Sequence, residues 1–160
     1  MNRYKSELKW SLIFVVVMLL WMGFERLMGW HGENIASHAV YTNFFAVFAI
    51  GIYILALLDK RKTAYSGVMT WKQGFMAGLI ITIIVTLLSP LIQWITHTVI
   101  TPEFFDNIRA YSVEQGEMTP EEAAEYFSLA GYMIQSMIGA LLMGIITSAV
   151  VAFFTRKKAD

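Results

Sequence analysis

Gln73 to Pro102 reads QGFMAGLIITIIVTLLSPLIQWITHTVITP, thirty residues without one Asp, Glu, Lys or Arg. A helix rises about 1.5 Å per residue, so about 20 apolar residues cross a hydrocarbon core of about 30 Å. A chain of 160 residues has too little interior to hide such a run in water. The stretch is therefore a membrane span with length to spare, and must tilt, kink or project past the headgroups. Working outward, Tyr126 to Thr155 and Ala39 to Leu58 are equally free of charge. Trp10 to Phe24 is too, and its apolar character resumes after Glu25-Arg26 as Leu27-Met28-Gly29-Trp30. These runs predict four transmembrane helices, near 9–29, 39–58, 72–99 and 130–154. The expected fold is an all-α integral membrane protein, with residues 1–160 forming a single four-span domain.

The composition agrees: hydrophobic residues make up 57 % and charged residues 15 %, with a mean hydropathy of +0.56. Formal net charge is zero, so no bulk field recruits nucleic acid. There is no cysteine, which excludes disulfides, thiolate metal sites and cysteine nucleophiles. The first span has the basic start of a signal peptide, but Glu25-Arg26 follows its apolar run and no small-residue cleavage site lies close by, so it is read as an anchor.

Orientation follows from the cations. Arg3, Lys5 and Lys9 precede the first span; Lys60, Arg61, Lys62 and Lys72 lie between the second and third; Arg156, Lys157 and Lys158 follow the fourth. Ten of the twelve basic residues thus share one side, which the positive-inside rule makes cytoplasmic, with both termini there. The other side is acidic, and its 101–129 connection is too long to be an idle loop. Thr101-Pro102-Glu103 and Thr119-Pro120-Glu121-Glu122 each read as a helix start, the second with a capping box. An outer helical hairpin is expected, its Phe104, Phe105, Ile108 and Tyr111 stripe suited to lie on the membrane surface.

Polar groups inside lipid are costly, which makes them the best pointers to function. Counting up each span places Glu25, Asn43, Gln93 and Gln135 at similar depth in the outer leaflet. His97 lies one turn above Gln93, and His31 and His38 bracket the short outer turn between the first two spans, so all three histidines gather at the outer mouth. Three uses are open. The four polar residues can form an interhelical hydrogen-bond layer that fixes register. Glu25 can exchange protons or cations with His97 and His38 as relay partners. His31, His38 and His97 with a glutamate can bind zinc or copper, although the seven-residue spacing of His31 and His38 matches no compact ligand motif. Arg26 can neutralise Glu25 or reach outward.

In the third span, Thr82, Thr86, Ser89, Gln93 and Thr96 form one polar stripe, broken by Pro90, whose freed carbonyl a neighbouring hydroxyl can satisfy. In the fourth, Ser136, Ala140, Gly144 and Ser148 form a small-residue ladder suited to close contact with span three or with a second copy of the chain. No phosphate-binding loop, dinucleotide glycine pattern, nucleophile elbow or His-Glu-x-x-His is present.

Glu25 with Leu27 and Gly29, His31, His38, Tyr41-Thr42-Asn43, Ala56 to Lys62, Gln73-Gly74-Phe75, Leu88-Ser89-Pro90, Met118-Thr119 and Met143-Gly144 to Thr147-Ser148 together resemble the bacterial membrane-protein family called domain of unknown function 4199. The resemblance implies a four-span bacterial inner-membrane protein and brings no activity or site residue. The leading expectation is a non-enzymatic, accessory or self-associating subunit in the lipid bilayer, without a cofactor. The alternatives are a small proton- or cation-coupled carrier using Glu25 and His97, and a periplasm-facing metal-binding or sensing protein.

Overall fold

The computed structural model describes residues 4–158; Arg3, counted among the basic flanks, lies outside them. The regular elements are α1 (Lys5–Leu27), α2 (His38–Tyr41), α3 (Phe45–Ala64), α4 (Trp71–Ile95), α5 (Phe104–Glu114), α6 (Pro120–Tyr126) and α7 (Leu129–Thr155). Short 3-10 turns merge α2 and α3 into one helical run, Ile35–Ala64, and a π turn carries α4 on to Ile100. Four stretches are long and apolar enough to cross a membrane: Lys5–Leu27, Ile35–Ala64, Trp71–Ile100 and Leu129–Thr155. The first two outlast the charge-free runs that announced them, the third is shifted two residues toward the N-terminus of its run, and the fourth starts three residues later than its run. The helical hydrogen bonds continue through Lys5 and Lys9, whose side chains are exposed, and through Lys60 to Lys62, where Lys60 turns inward and Lys62 is exposed.

α4 touches the other three long helices and packs most extensively on α7. Its start is a capping box: Thr70 Oγ1 accepts from the Gln73 N–H at 3.3 Å, and Gln73 Oε1 accepts from the Thr70 N–H at 2.8 Å. Thr82, Thr86, Ser89 and Thr96 of the polar stripe are all buried against the bundle. Pro90 has no N–H for the Thr86 carbonyl, and the Ser89 hydroxyl donates to that carbonyl at 2.8 Å. Deeper along the seam, Tyr53 Oη lies 2.8 Å from Thr82 Oγ1, which in turn lies 3.3 Å from Ser148 Oγ. Ser148 also donates to the Gly144 carbonyl at 2.6 Å. Gly144 and Ser148 thus spend the lower half of the α7 ladder on α4, whereas Ser136 and Ala140 line a cleft between the long helices that Gly144 also borders.

At the end that carries the chain termini, the backbones of Met69 and Lys157 exchange two hydrogen bonds (3.0 and 2.9 Å) and Arg61 donates to the Thr155 carbonyl. Between α1 and α3, Glu7 and Lys60 form a buried pair, with Lys60 Nζ 2.8 and 2.9 Å from the two carboxylate oxygens. Beside it Asp59 accepts from Ser6 Oγ, Lys9 Nζ and Trp10 Nε1.

The opposite end is closed by α5 and α6. Two expectations change here. The helix expected from Thr101-Pro102 starts only at Phe104, because the Thr101 N–H closes the π turn on the Thr96 carbonyl at 2.7 Å. The apolar stripe of α5 also packs on protein: Phe104 and Ile108 are buried with Ile35, Ala123 and Phe127. The Thr119 capping box forms as expected, with Glu122 accepting the Thr119 N–H at 2.8 Å. That hydrogen bond holds the Glu122 carboxyl below the usual range. Its stabilisation is therefore complete above the ordinary carboxylate pKa and is lost as pH falls through the lowered value. Amide exchange in α6 should accelerate across that acidic window, and Glu122→Ala should erase the step.

Candidate functional site

The site is built where α1 ends. Trp21 and Glu25 stand one turn apart, and Trp21 Nε1 donates to Glu25 Oε1 at 2.5 Å. Gly29 then adopts φ +75°, a backbone region that penalises a Cβ, and its carbonyl takes the N–H groups of Gly32 and Asn34. This reversal swings His31 back over the helix end, so that its Nε2 lies 2.8 Å from Glu25 Oε2. His38, opening α2, brings Nδ1 to 3.6 Å from the same oxygen, too long for a hydrogen bond. Asn107 of α5 donates to the His31 carbonyl at 2.9 Å and pins the turn from outside.

Glu25 is 0 % exposed and His31 4 %. One donor atom from each of Glu25, His31 and His38 lies within 4.8 Å of the others, a set able to hold a metal ion. The Nδ1 atoms of His31 and His38 are buried without a hydrogen-bond partner. Among the described residues no lysine or arginine comes within ion-pair distance of Glu25. Arg26, the neighbour that might have neutralised it, instead donates to the Ile100 carbonyl at the end of the third span. There it caps a terminal carbonyl and complements the helix dipole.

Phe104 is the lid. It is 1 % exposed, and its ring centroid lies 5.1 Å from that of His31, 5.0 Å from His38 and 5.0 Å from His97. His97 packs on the same Phe104 ring, but its polar partner is not Glu25: its Nε2 pairs with Gln93 Oε1 at 3.0 Å, and Phe105 and Tyr132 pack on it. A cleft of about 320 Å³ opens beside the cluster, lined by His31 with Arg26, Glu33, Glu103 and Asn107 among others.

The structure divides the residues expected to share one polar layer. Asn43 donates to the Ala39 carbonyl of its own helical turn at 2.7 Å, and Gln135 is exposed on α7. Asn43 and Gln93 line a second, largely apolar cleft of about 410 Å³ between α3, α4 and α7. Glu25 stands apart from both, with the histidines. Sequence reasoning missed the Glu7–Lys60 pair entirely, because both residues stand in charged flanks, Lys5 to Lys9 and Asp59 to Lys62, that read as solvated helix ends.

No curated protein and no solved structure matches the chain. A family match does span residues 9–157 and so takes in every residue of this centre. The chain belongs to the family described as Protein of unknown function (DUF4199).

Proposed function

We propose that this is a multi-pass protein of the bacterial inner membrane, with both termini cytoplasmic and α5–α6 as an extracytoplasmic hairpin, that holds a cation in the Glu25–His31–His38 centre. It acts by binding and sensing rather than by catalysis, as an accessory subunit of the membrane. One observation carries this reading: a fully buried carboxylate faces two histidines and no permanent cation. Burying an unpaired carboxylate costs several kcal/mol. The same chain shows what a closed structural solution looks like, since Glu7 is met by Lys60. At Glu25 no lysine or arginine among the described residues plays that part, which leaves the place of a permanent counter-charge to a cation from outside the chain.

The orientation is supported by Lys60, Arg61, Lys62, Lys72, Arg156, Lys157 and Lys158 clustering at the end where Met69 and Lys157 pair. Self-association through α7 is part of the proposal only for Ser136 and Ala140. A carrier relaying protons from Glu25 to His97 draws less support, because the Nε2 of His97 is paired with Gln93 rather than with Glu25 or its histidines.

The test is thermal unfolding of the protein in lipid nanodiscs with chlorides of Mg²⁺, Ca²⁺, Mn²⁺ and Zn²⁺. A cation at about 100 times its Kd stabilises by about 2.7 kcal/mol, which for a chain of this size is about 5–10 °C. At least one cation should raise the Tm of the wild type, and none should raise that of Glu25→Gln. If no cation moves the wild type and Glu25→Gln merely shifts its Tm, the centre is internal glue.

A further inference from the structure

The donor chemistry of the centre says which cation fits. We infer that Glu25, His31 and His38 bind a divalent first-row transition metal ion of the zinc or copper kind, a conclusion that rests on the cation-binding reading above and narrows it. Calcium takes 6–8 oxygen ligands and magnesium near-octahedral oxygen. The centre offers one carboxylate and two imidazoles, and its unoccupied donors are nitrogen: the Nδ1 atoms of His31 and His38, both buried and unpartnered. Imidazole nitrogen suits zinc, copper and nickel, and soft thiolates, the preference of copper(I), do not occur in this chain. Two histidines and a glutamate are also a complete protein ligand set for a tetrahedral ion that keeps one position for water or another exchangeable group.

Three further features fit a metal better than a static contact. The carboxylate is divided between two tasks: Oε1 takes the Trp21 indole N–H at 2.5 Å, while Oε2 is the atom both histidines approach. A donor behind a ligating group, fixing its orientation, is the usual outer support of a metal site. The His31 backbone is held in place by Asn107 from α5, so the ligand on the flexible turn is tied to the helix that covers it. Finally there is an entry path. The cleft that reaches His31, the only ligand of the three that lines it, carries two carboxylates, Glu33 and Glu103, against one cation, Arg26, whose guanidinium is spent on the Ile100 carbonyl, so its lining is acidic on balance. His97, paired with Gln93, is outside the ligand set.

The full chain, stripped with chelator and placed in nanodiscs, is titrated with ZnCl₂ by calorimetry, and separately loaded with CuCl₂ for electron paramagnetic resonance. One equivalent of zinc should bind. His31→Asn, His38→Asn and Glu25→Gln should each weaken it at least about a hundredfold, the upper range for merely outer-shell changes. Trp21→Phe should weaken it about tenfold, the lower range for such a change, and His97→Asn should leave it unchanged. The copper spectrum of the unaltered protein should show two nitrogen ligands, a readout that needs no variant to fold. Zinc binding that survives both histidine replacements, or a copper site with no coupled nitrogen, overturns the assignment. If calcium or magnesium raises the Tm and zinc does not bind, the metal class is wrong and the cation reading stands. If no cation in the panel binds, both fall.

Discussion

Lys60→Met should lower the stability of the protein by about 3–5 kcal/mol, because it strands a buried carboxylate. Glu7 is 2 % exposed between α1 and α3, and both its oxygens are held by Lys60 Nζ, at 2.8 and 2.9 Å. Removing the ammonium leaves Glu7, almost fully covered in the wall of a cleft, without its cation. Adding Glu7→Gln to Lys60→Met should return much of the loss, since an uncharged amide has far less hydration to forfeit. The neighbouring pair supplies the contrast. Lys9 is 50 % exposed, and Asp59 keeps the Ser6 and Trp10 donors when Lys9 is removed, so Lys9→Met should cost no more than about 1 kcal/mol. Thermal or steric-trap unfolding in nanodiscs measures all four proteins. Equal losses for Lys60→Met and Lys9→Met would show that Glu7 is hydrated, and would also weaken the contrast on which the reading of Glu25 depends.

The spans were legible in the sequence because lipid leaves one gross demand, apolar length, and charge-free runs meet or break it without reference to neighbours. Direction around a helix was not. Counting residues places Glu25, Asn43, Gln93 and Gln135 at one depth, but depth says nothing about azimuth. Asn43 turns back to its own Ala39 carbonyl, Gln93 reaches His97 on its own helix, and Gln135 faces out from α7. Residues a turn apart satisfy one another before they meet a partner across a seam. The histidines show the opposite failure. A seven-residue spacing looks wrong for a ligand pair when it is read along one helix. Here the segment reverses at Gly29, in the left-handed region, and a new helix starts at His38, so His31 and His38 meet at Glu25 with ring centroids 5.1 Å apart. The glycine was visible; its positive φ was the missing fact. Pro90 was legible in full, since the identity of the freed carbonyl follows from i−4 counting and Ser89 stands beside it.

The seam between α4 and α7 yields the second large effect. Lipid is as apolar as leucine, so helices in a bilayer associate through close packing, with small residues letting backbones approach. A Cβ added at Gly78 would lie 2.6 Å from Ser148 Oγ and 3.2 Å from the Ser148 Cα, so the backbone of α7 would have to move. A Cβ at Gly144 would lie 2.6 Å from Thr82 Oγ1 and 3.0 Å from Thr82 Cβ. Overpacking of this kind costs about 1–3 kcal/mol, and at Gly144 it also displaces the hydroxyl that meets Tyr53 and Ser148. Gly139 supplies the control on the same helix. Among the described residues nothing beyond the backbone and neighbours of its own helix lies within 4 Å of a Cβ built there, so Gly139→Ala should be neutral or stabilise by up to about 1 kcal/mol through the entropy a glycine loses in a helix. Gly78→Ala, Gly144→Ala and Gly139→Ala therefore share one chemical change and should separate in sign. The pairing itself is checked by Gly78→Ala combined with Ser148→Gly, which removes the two closest contacts, to Oγ and Cβ, leaves only the 3.2 Å approach to Cα, and should cost less than its two parts together. Additive losses in that double variant would mean that the helices meet in another register.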